Sequence, residues 1–169
     1  MLSKKLFFTT LCASFLATLL YSPPTRAAPQ LIFLCIPGQP GSATLRGFED
    51  CIEIHSYAQE FSKRKEACKI SFIKEFDPAS ISFALQAVSG TMISQGTFHF
   101  FSDSDVPAVL LEVEFSNWKV KKVRASGEEG DVEAALAEVV ELRRTASSSL
   151  SITRFPPGGA PETENMDCS

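Results

Sequence analysis

The chain has 169 residues and carries 16 Lys and Arg against 20 Asp and Glu, a net charge of −4. Binding to a nucleic-acid backbone needs a strongly positive surface, so this balance argues against that class of partner. The basic clusters Lys63-Arg64-Lys65 and Lys119 to Arg124 are short and read as solvated loop and strand faces.

The first segment has the pattern of a secretory signal. Lys4 and Lys5 are followed by the uncharged, largely apolar run Leu6 to Tyr21, and Thr25-Arg26-Ala27 offers small residues at the two positions a signal peptidase reads. A spanning helix needs about 20 apolar residues, and Pro23 and Pro24 end this run early. Leu11 before Cys12 does not fit a lipoprotein site. Residues 1–27 are therefore expected to be cleaved, 28–157 to form one domain, and 158–169 to be a disordered acidic tail. No later segment is apolar enough to span a membrane. The expected location is secreted or periplasmic, with no stable membrane insertion after cleavage.

Cleavage leaves Cys35, Cys51, Cys68 and Cys168. An oxidising compartment favours disulfides. Three fully paired connectivities are open, as is a single bridge with two free thiols. No CxxC occurs, which weakens zinc-knuckle and thioredoxin-type readings.

In chain order, Leu31 to Ile36 is a short apolar strand ending at Pro37-Gly38, and 38–47 is a loop. Cys51 to Phe61 and Cys68 to Phe76 alternate with period 2 across a charged connection, which predicts an antiparallel pair. At Asp77-Pro78 the period changes. Ile81, Ala84, Leu85 and Val88 form a helical stripe expected to pack on the sheet, with Asp77 as N-cap, Pro78 at the first position and Gly90 as the stop. Gln95 to Phe101 and Val109 to Val123 read as strands, and 126–131 as an acidic loop. Local propensity favours helix over Glu133 to Arg144. Leu150, Ile152 and Phe155 end a last strand.

The segment Ile70-Ser71-Phe72-Ile73-Lys74, then Asp77, Ala79-Ser80, Leu85 and Gly90, resembles the Hcp family of type VI secretion tube proteins. Phe33 to Gly38, Cys51 to Ile54, Leu110 to Ser116 and Glu138 to Leu142 resemble other strands of that family, so the likeness covers roughly residues 31–157. It implies a mainly β fold, a small antiparallel β-barrel with one flanking α-helix, and it implies strand for Val139 to Arg143 in place of helix. It also implies self-association into rings, hexameric in the family, that stack into a tube and carry secreted effector proteins. Two features depart from the pattern. A secretory signal precedes the domain, and Phe100-Phe101-Ser102 stands where basic residues are expected.

Export, together with three cysteines on strands that the family resemblance implies lie in one small barrel, leads to the expectation of at least one intramolecular disulfide among Cys35, Cys51 and Cys68, with Cys168 free or used between chains. Cys51 and Cys68 differ in strand parity. Cys35–Cys51 is the candidate pair, provided Cys35 points to the face opposite Leu34 and Ile36.

Signs of catalysis are weak. A Cys–His nucleophile could combine Cys35 or Cys51 with His55 or His99, but strand parity places both histidines on polar or half-buried faces. No ligand spacing for a metal is present, and Glu128-Glu129-Gly130-Asp131 lacks the alternating oxygens of a calcium loop. No cofactor is implied. Trp118, Glu128, Glu129 and Asp131 are the candidate interface residues. The reading is an exported assembly protein without enzymatic activity. Its rivals are a monomeric exported binding module and, further off, a small hydrolase using Cys51 and His55.

Overall fold

The computed structural model describes residues 31–61, 68–104, 106–126 and 136–166. Nine strands and one α-helix occur among them: β1 Ile32–Cys35, β2 Ile52–Ile54, β3 Ser56–Glu60, β4 Lys69–Glu75, α1 Ala79–Ser89, β5 Met92–Phe101, β6 Val109–Ser126, β7 Ala137–Arg143, β8 Ser149–Arg154 and β9 Glu162–Asn165. Every ladder is antiparallel, and the sheet runs β2-β1-β5-β6-β7-β4-β3.

β6 is the organising strand. One edge pairs with β5. The other edge is shared: Leu111 to Ser116 pair with β8, and Lys119 to Ser126 pair with β7. The division falls at Asn117, whose φ of 58° is left-handed, a conformation Asn tolerates better than most residues. The β7–β8 turn docks there. Thr145 Oγ1 and Ser148 Oγ donate to the Asn117 carbonyl at 2.9 and 2.7 Å, and Asn117 Nδ2 donates to the Ser147 carbonyl at 3.1 Å.

Residues 137–143 form a strand, as the family resemblance implied against local propensity. The reason is tertiary. β7 lies between β4 and β6, so its backbone is bonded on both edges and Val140 and Leu142 are fully buried.

The fold is mainly β with one helix, but the expected closed barrel is not what the ladders draw. The hydrogen-bonded path is open, with β2 and β3 at its ends. These ends are consecutive in sequence and separated only by His55, whose N–H donates to the Ile73 carbonyl at 2.8 Å. The expected disordered tail also needs correction. Residues 162–165 form β9 on the edge of β8, and Met166 donates its N–H to the Leu150 carbonyl and packs against the main core.

That core is aromatic. Phe98 sits between Tyr57, Phe72 and Phe115 at centroid separations of 4.8, 5.6 and 5.7 Å. A second, smaller cluster lies on the other face of β1, where Phe33, Ala43, Cys51 and Phe101 are covered by the 40–50 loop. Gly41 is required for that cover: a Cβ there would lie 2.4 Å from the Cys51 carbonyl oxygen.

The helix is turned the other way from expectation. Ala79, Ser80 and Phe83 are its buried residues, while Ile81, Leu85 and Val88 are 63, 65 and 90% exposed. Both stripes have helical spacing. The more apolar one is not chosen, because the N-terminus of the helix is fixed by a polar cluster that dictates its rotation.

Candidate functional site

Strand parity builds that cluster. In β4, Ile70, Phe72 and Lys74 share the inward face, and in β7, Glu138, Val140 and Leu142 do. Lys74 and Glu138 are register partners, so a cation and an anion meet inside the core. Lys74 is fully buried. Its Nζ lies 2.7 Å from Asp77 Oδ1, 3.0 Å from Glu138 Oε2, 2.8 Å from Ser80 Oγ and 2.6 Å from the Glu75 carbonyl. Ser80 Oγ donates to Glu138 and accepts the Asp77 N–H at 3.0 Å.

Asp77 then caps the helix. Its Oδ1 accepts the Ala79 N–H at 2.9 Å, and Pro78 already holds helical dihedrals at φ −55°. Every polar group in the clamp has a partner, which a buried charge requires. At the far end, Gly90 adopts φ 71° and donates to the Gln86 carbonyl, while Gln86 Nε2 donates to Gln39 Oε1 at 3.2 Å. The motif positions Lys74, Asp77, Ala79 and Ser80 are therefore the joint between helix and sheet. They hold α1 in the orientation that exposes its apolar outer face.

Of the residues singled out in the sequence, Cys35 and Cys51 are brought together. They form a disulfide with an S–S distance of 2.02 Å and Cα atoms 4.6 Å apart. Cys35 packs with Phe33, on the face opposite Leu34, so the stated condition holds. The bond pins the 36–50 loop over the smaller core. Cys68 is disulfide-bonded as well, and Cys168 lies outside the described residues.

Trp118 is 1% exposed and donates from Nε1 to the Ser149 carbonyl at 3.0 Å, so its indole lies in the core of the single chain. Glu128, Glu129 and Asp131 lie outside the described residues. His55 Nε2 faces Glu75 Oε1 at 3.3 Å on the surface, and His99 Nδ1 contacts Glu112 Oε1 at 3.0 Å beside the Phe48 ring. With Cys35 and Cys51 joined, neither offers a thiolate to these histidines. A cleft of about 690 Å³ opens beside the disulfide, lined among others by Gln39, Asp50, Glu114 and Ser149, and neither histidine lines it.

Sequence reasoning did not find the buried Lys74–Glu138 pair. The signal was present in the parity: extending the row Ile70, Phe72 by two residues lands on Lys74.

A helix clamped across an antiparallel sheet, with its polar motif residues spent on internal joints, defines a structural module. The family model described as "Type VI secretion system effector, Hcp" matches residues 33–152. The chain belongs to that family. Among solved structures, it is similar to Hcp1 from Salmonella typhimurium at 24% identity and a TM-score of 0.73, covering 83% of this chain and 95% of that one. It is similar to a type VI secretion system effector from Yersinia pestis at 17% identity and a TM-score of 0.70, covering 80% and 98%. Hcp2 from Salmonella typhimurium matches at 22% identity and a TM-score of 0.65, covering 82% and 95%. At these identities the structural likeness establishes the fold. Comparison with curated proteins finds no match. Among the described residues no helix is long and apolar enough to cross a membrane.

Proposed function

We propose that this Hcp-family chain is an exported structural protein that self-assembles into rings or tubes associated with type VI-like secretion, and that it works without catalysis. The observation that carries the reading is the family match over residues 33–152, coinciding with the clamp built from the motif residues Lys74, Asp77 and Ser80. Cleavage of residues 1–27 places the domain in the periplasm or outside the cell, where the Cys35–Cys51 bond is stable. Its first partner is a second copy of itself, in a hexamer as the family resemblance implies, with secreted effector proteins as cargo. An assembly of this kind needs self-complementary surfaces and no reactive group. Native mass spectrometry of the protein purified from the exported fraction tests the reading: a defined multiple of the chain mass supports it, and a monomer at tens of micromolar overturns it in favour of a monomeric binding module.

A further inference from the structure

We propose that Cys68 and Cys168 form a second intrachain disulfide, which locks the C-terminal segment onto the sheet as a strap over the edge of β8. This rests on the export reading and is independent of self-assembly.

The partner follows by elimination. Cys68 is disulfide-bonded, and Cys35 and Cys51 are bonded to each other. The sequence holds two other cysteines, Cys12 and Cys168. Cys12 lies in the segment removed on export. Within the mature chain Cys168 is the partner left, where the sequence alone allowed it to be free or shared between chains.

Placement agrees. Cys68 is buried and shares the inward parity of Ile70 and Phe72, so its sulfur belongs to the main core. Met166 packs against that same core. Both stand at one end of the sheet. Lys69, next to Cys68, is the register partner of Arg143, where β7 ends. Met166 donates its N–H to the carbonyl of Leu150, close to where β8 begins. Cys168 is two positions beyond Met166 in the sequence, a chain reach of about 7 Å.

The strap needs such an anchor. β9 has four residues, all polar and exposed, so no apolar side chain of its own holds it on the sheet. The chain returns to β8 through a turn in which Gly158 adopts φ 71° and Gly159 donates to the Pro156 carbonyl. Ordering this segment costs conformational entropy at every residue. A crosslink between positions far apart in sequence lowers that cost, because it restricts the unfolded chain. What the strap covers is an open edge. β6 pairs with one side of β8 and β9 with the other. Bare, the second side would present unpaired N–H and C=O groups to any extended chain. β9 replaces it with a shorter edge that exposes Glu162 and Glu164.

The bond forms by exchange. The Cys68 and Cys168 thiols join in one S–S bond, and their two electrons and two protons reduce a donor disulfide of the oxidising compartment to two thiols.

Peptide mapping of unreduced protein from the exported fraction, with residue 28 established as its N-terminus, tests the bond. It is expected to yield a fragment joining Cys68 to Cys168 in a monomeric chain. Hydrogen exchange then reads the strap. Cys168→Ser is expected to lose protection at Met166 and across β9, while β4 and β6 keep theirs. Cys68→Ser should give the same loss, and the double variant no more than either alone. Free thiols at both positions overturn the bond and leave export standing. The Cys68–Cys168 fragment recovered from a covalent dimer overturns the intrachain strap. Wild-type protection of β9 in Cys168→Ser overturns the locking role. An intact N-terminal segment with Cys12 joined to Cys68 overturns both the bond and the export reading.

Discussion

Lys74 and Glu138 face each other across the β4–β7 ladder with Nζ 3.0 Å from Oε2, both inside the core, and together they fix the helix that follows β4. Their placement follows from strand parity, and Asp77 and Ser80 complete the shell around the ammonium group.

Removing the cation alone should be severe. Lys74→Met strands Asp77 and Glu138 as buried carboxylates, and breaking one partner of a buried pair costs roughly 3–5 kcal/mol. Lys74→Met combined with Glu138→Leu should cost less than Lys74→Met alone, because the second change removes one of the two orphaned charges. Urea denaturation of both variants checks the order. Equal or additive losses would show that the two groups are not coupled.

The rotation of α1 gives a second expectation. Phe83 is fully buried against Phe72 at a centroid distance of 5.6 Å, so Phe83→Ala should destabilise by about 3–5 kcal/mol. Leu85→Ala, on the exposed face, should leave the stability of the single chain within about 0.5 kcal/mol of wild type. Thermal melts under conditions that keep the protein monomeric measure this contrast. A reversed order would place the other stripe against the sheet.

The Cys35–Cys51 bond closes a loop with a sequence separation of 16. A loop of that size is stabilised by about 3 kcal/mol on a chain-entropy account. Replacing both cysteines with Ala should lower stability by roughly that amount and make residues 36–50 the first site of limited proteolysis. Peptide mapping of unreduced protein should recover Cys35 and Cys51 in one linked species. Free thiols at both positions would contradict the assignment.

Burial pushes the Tyr57 phenol well above its ordinary value, against Phe98 and Phe100. The folded state therefore holds the proton while the unfolded chain releases it near pH 10. Above that pH the unfolded state binds fewer protons than the native state, so stability falls as pH rises. The contribution is fully present below about pH 10 and is lost as the pH climbs toward the raised folded value. Tyr57→Phe should show a shallower alkaline loss of stability than wild type. Only Tyr21 and Tyr57 occur in the sequence, so after cleavage of residues 1–27 the phenolate absorbance reports Tyr57 alone. A phenolate titration at the ordinary tyrosine value in the folded protein would contradict its burial.

Period-2 alternation was enough to locate most strands, because residues such as Ile70, Phe72, Val113 and Phe115 alternate against polar neighbours. The change to a helical period at Asp77-Pro78, with Gly90 as the stop, located the helix. Besides the buried Lys74–Glu138 pair, two features escaped. The face of α1 that is buried was not legible, since apolar spacing is satisfied by both Ile81-Leu85-Val88 and Ala79-Phe83-Ala87, and the choice is made by the Ser80 hydroxyl bonding to Lys74 and Glu138 across 6 and 58 residues of chain. β9 was not legible either, because Glu162 to Asn165 is an all-polar strand whose order comes from pairing with β8 and from the anchoring of Met166, with no apolar period of its own. The Cys35–Cys51 pair could be named because parity limited which cysteines share a face.

Electron microscopy of the protein purified from the exported fraction tests the central claim most directly. Self-assembly predicts uniform ring-shaped particles with an open centre in negative stain, or stacks of them. A field of single-chain particles at concentrations where native mass spectrometry also records only the monomer would contradict it.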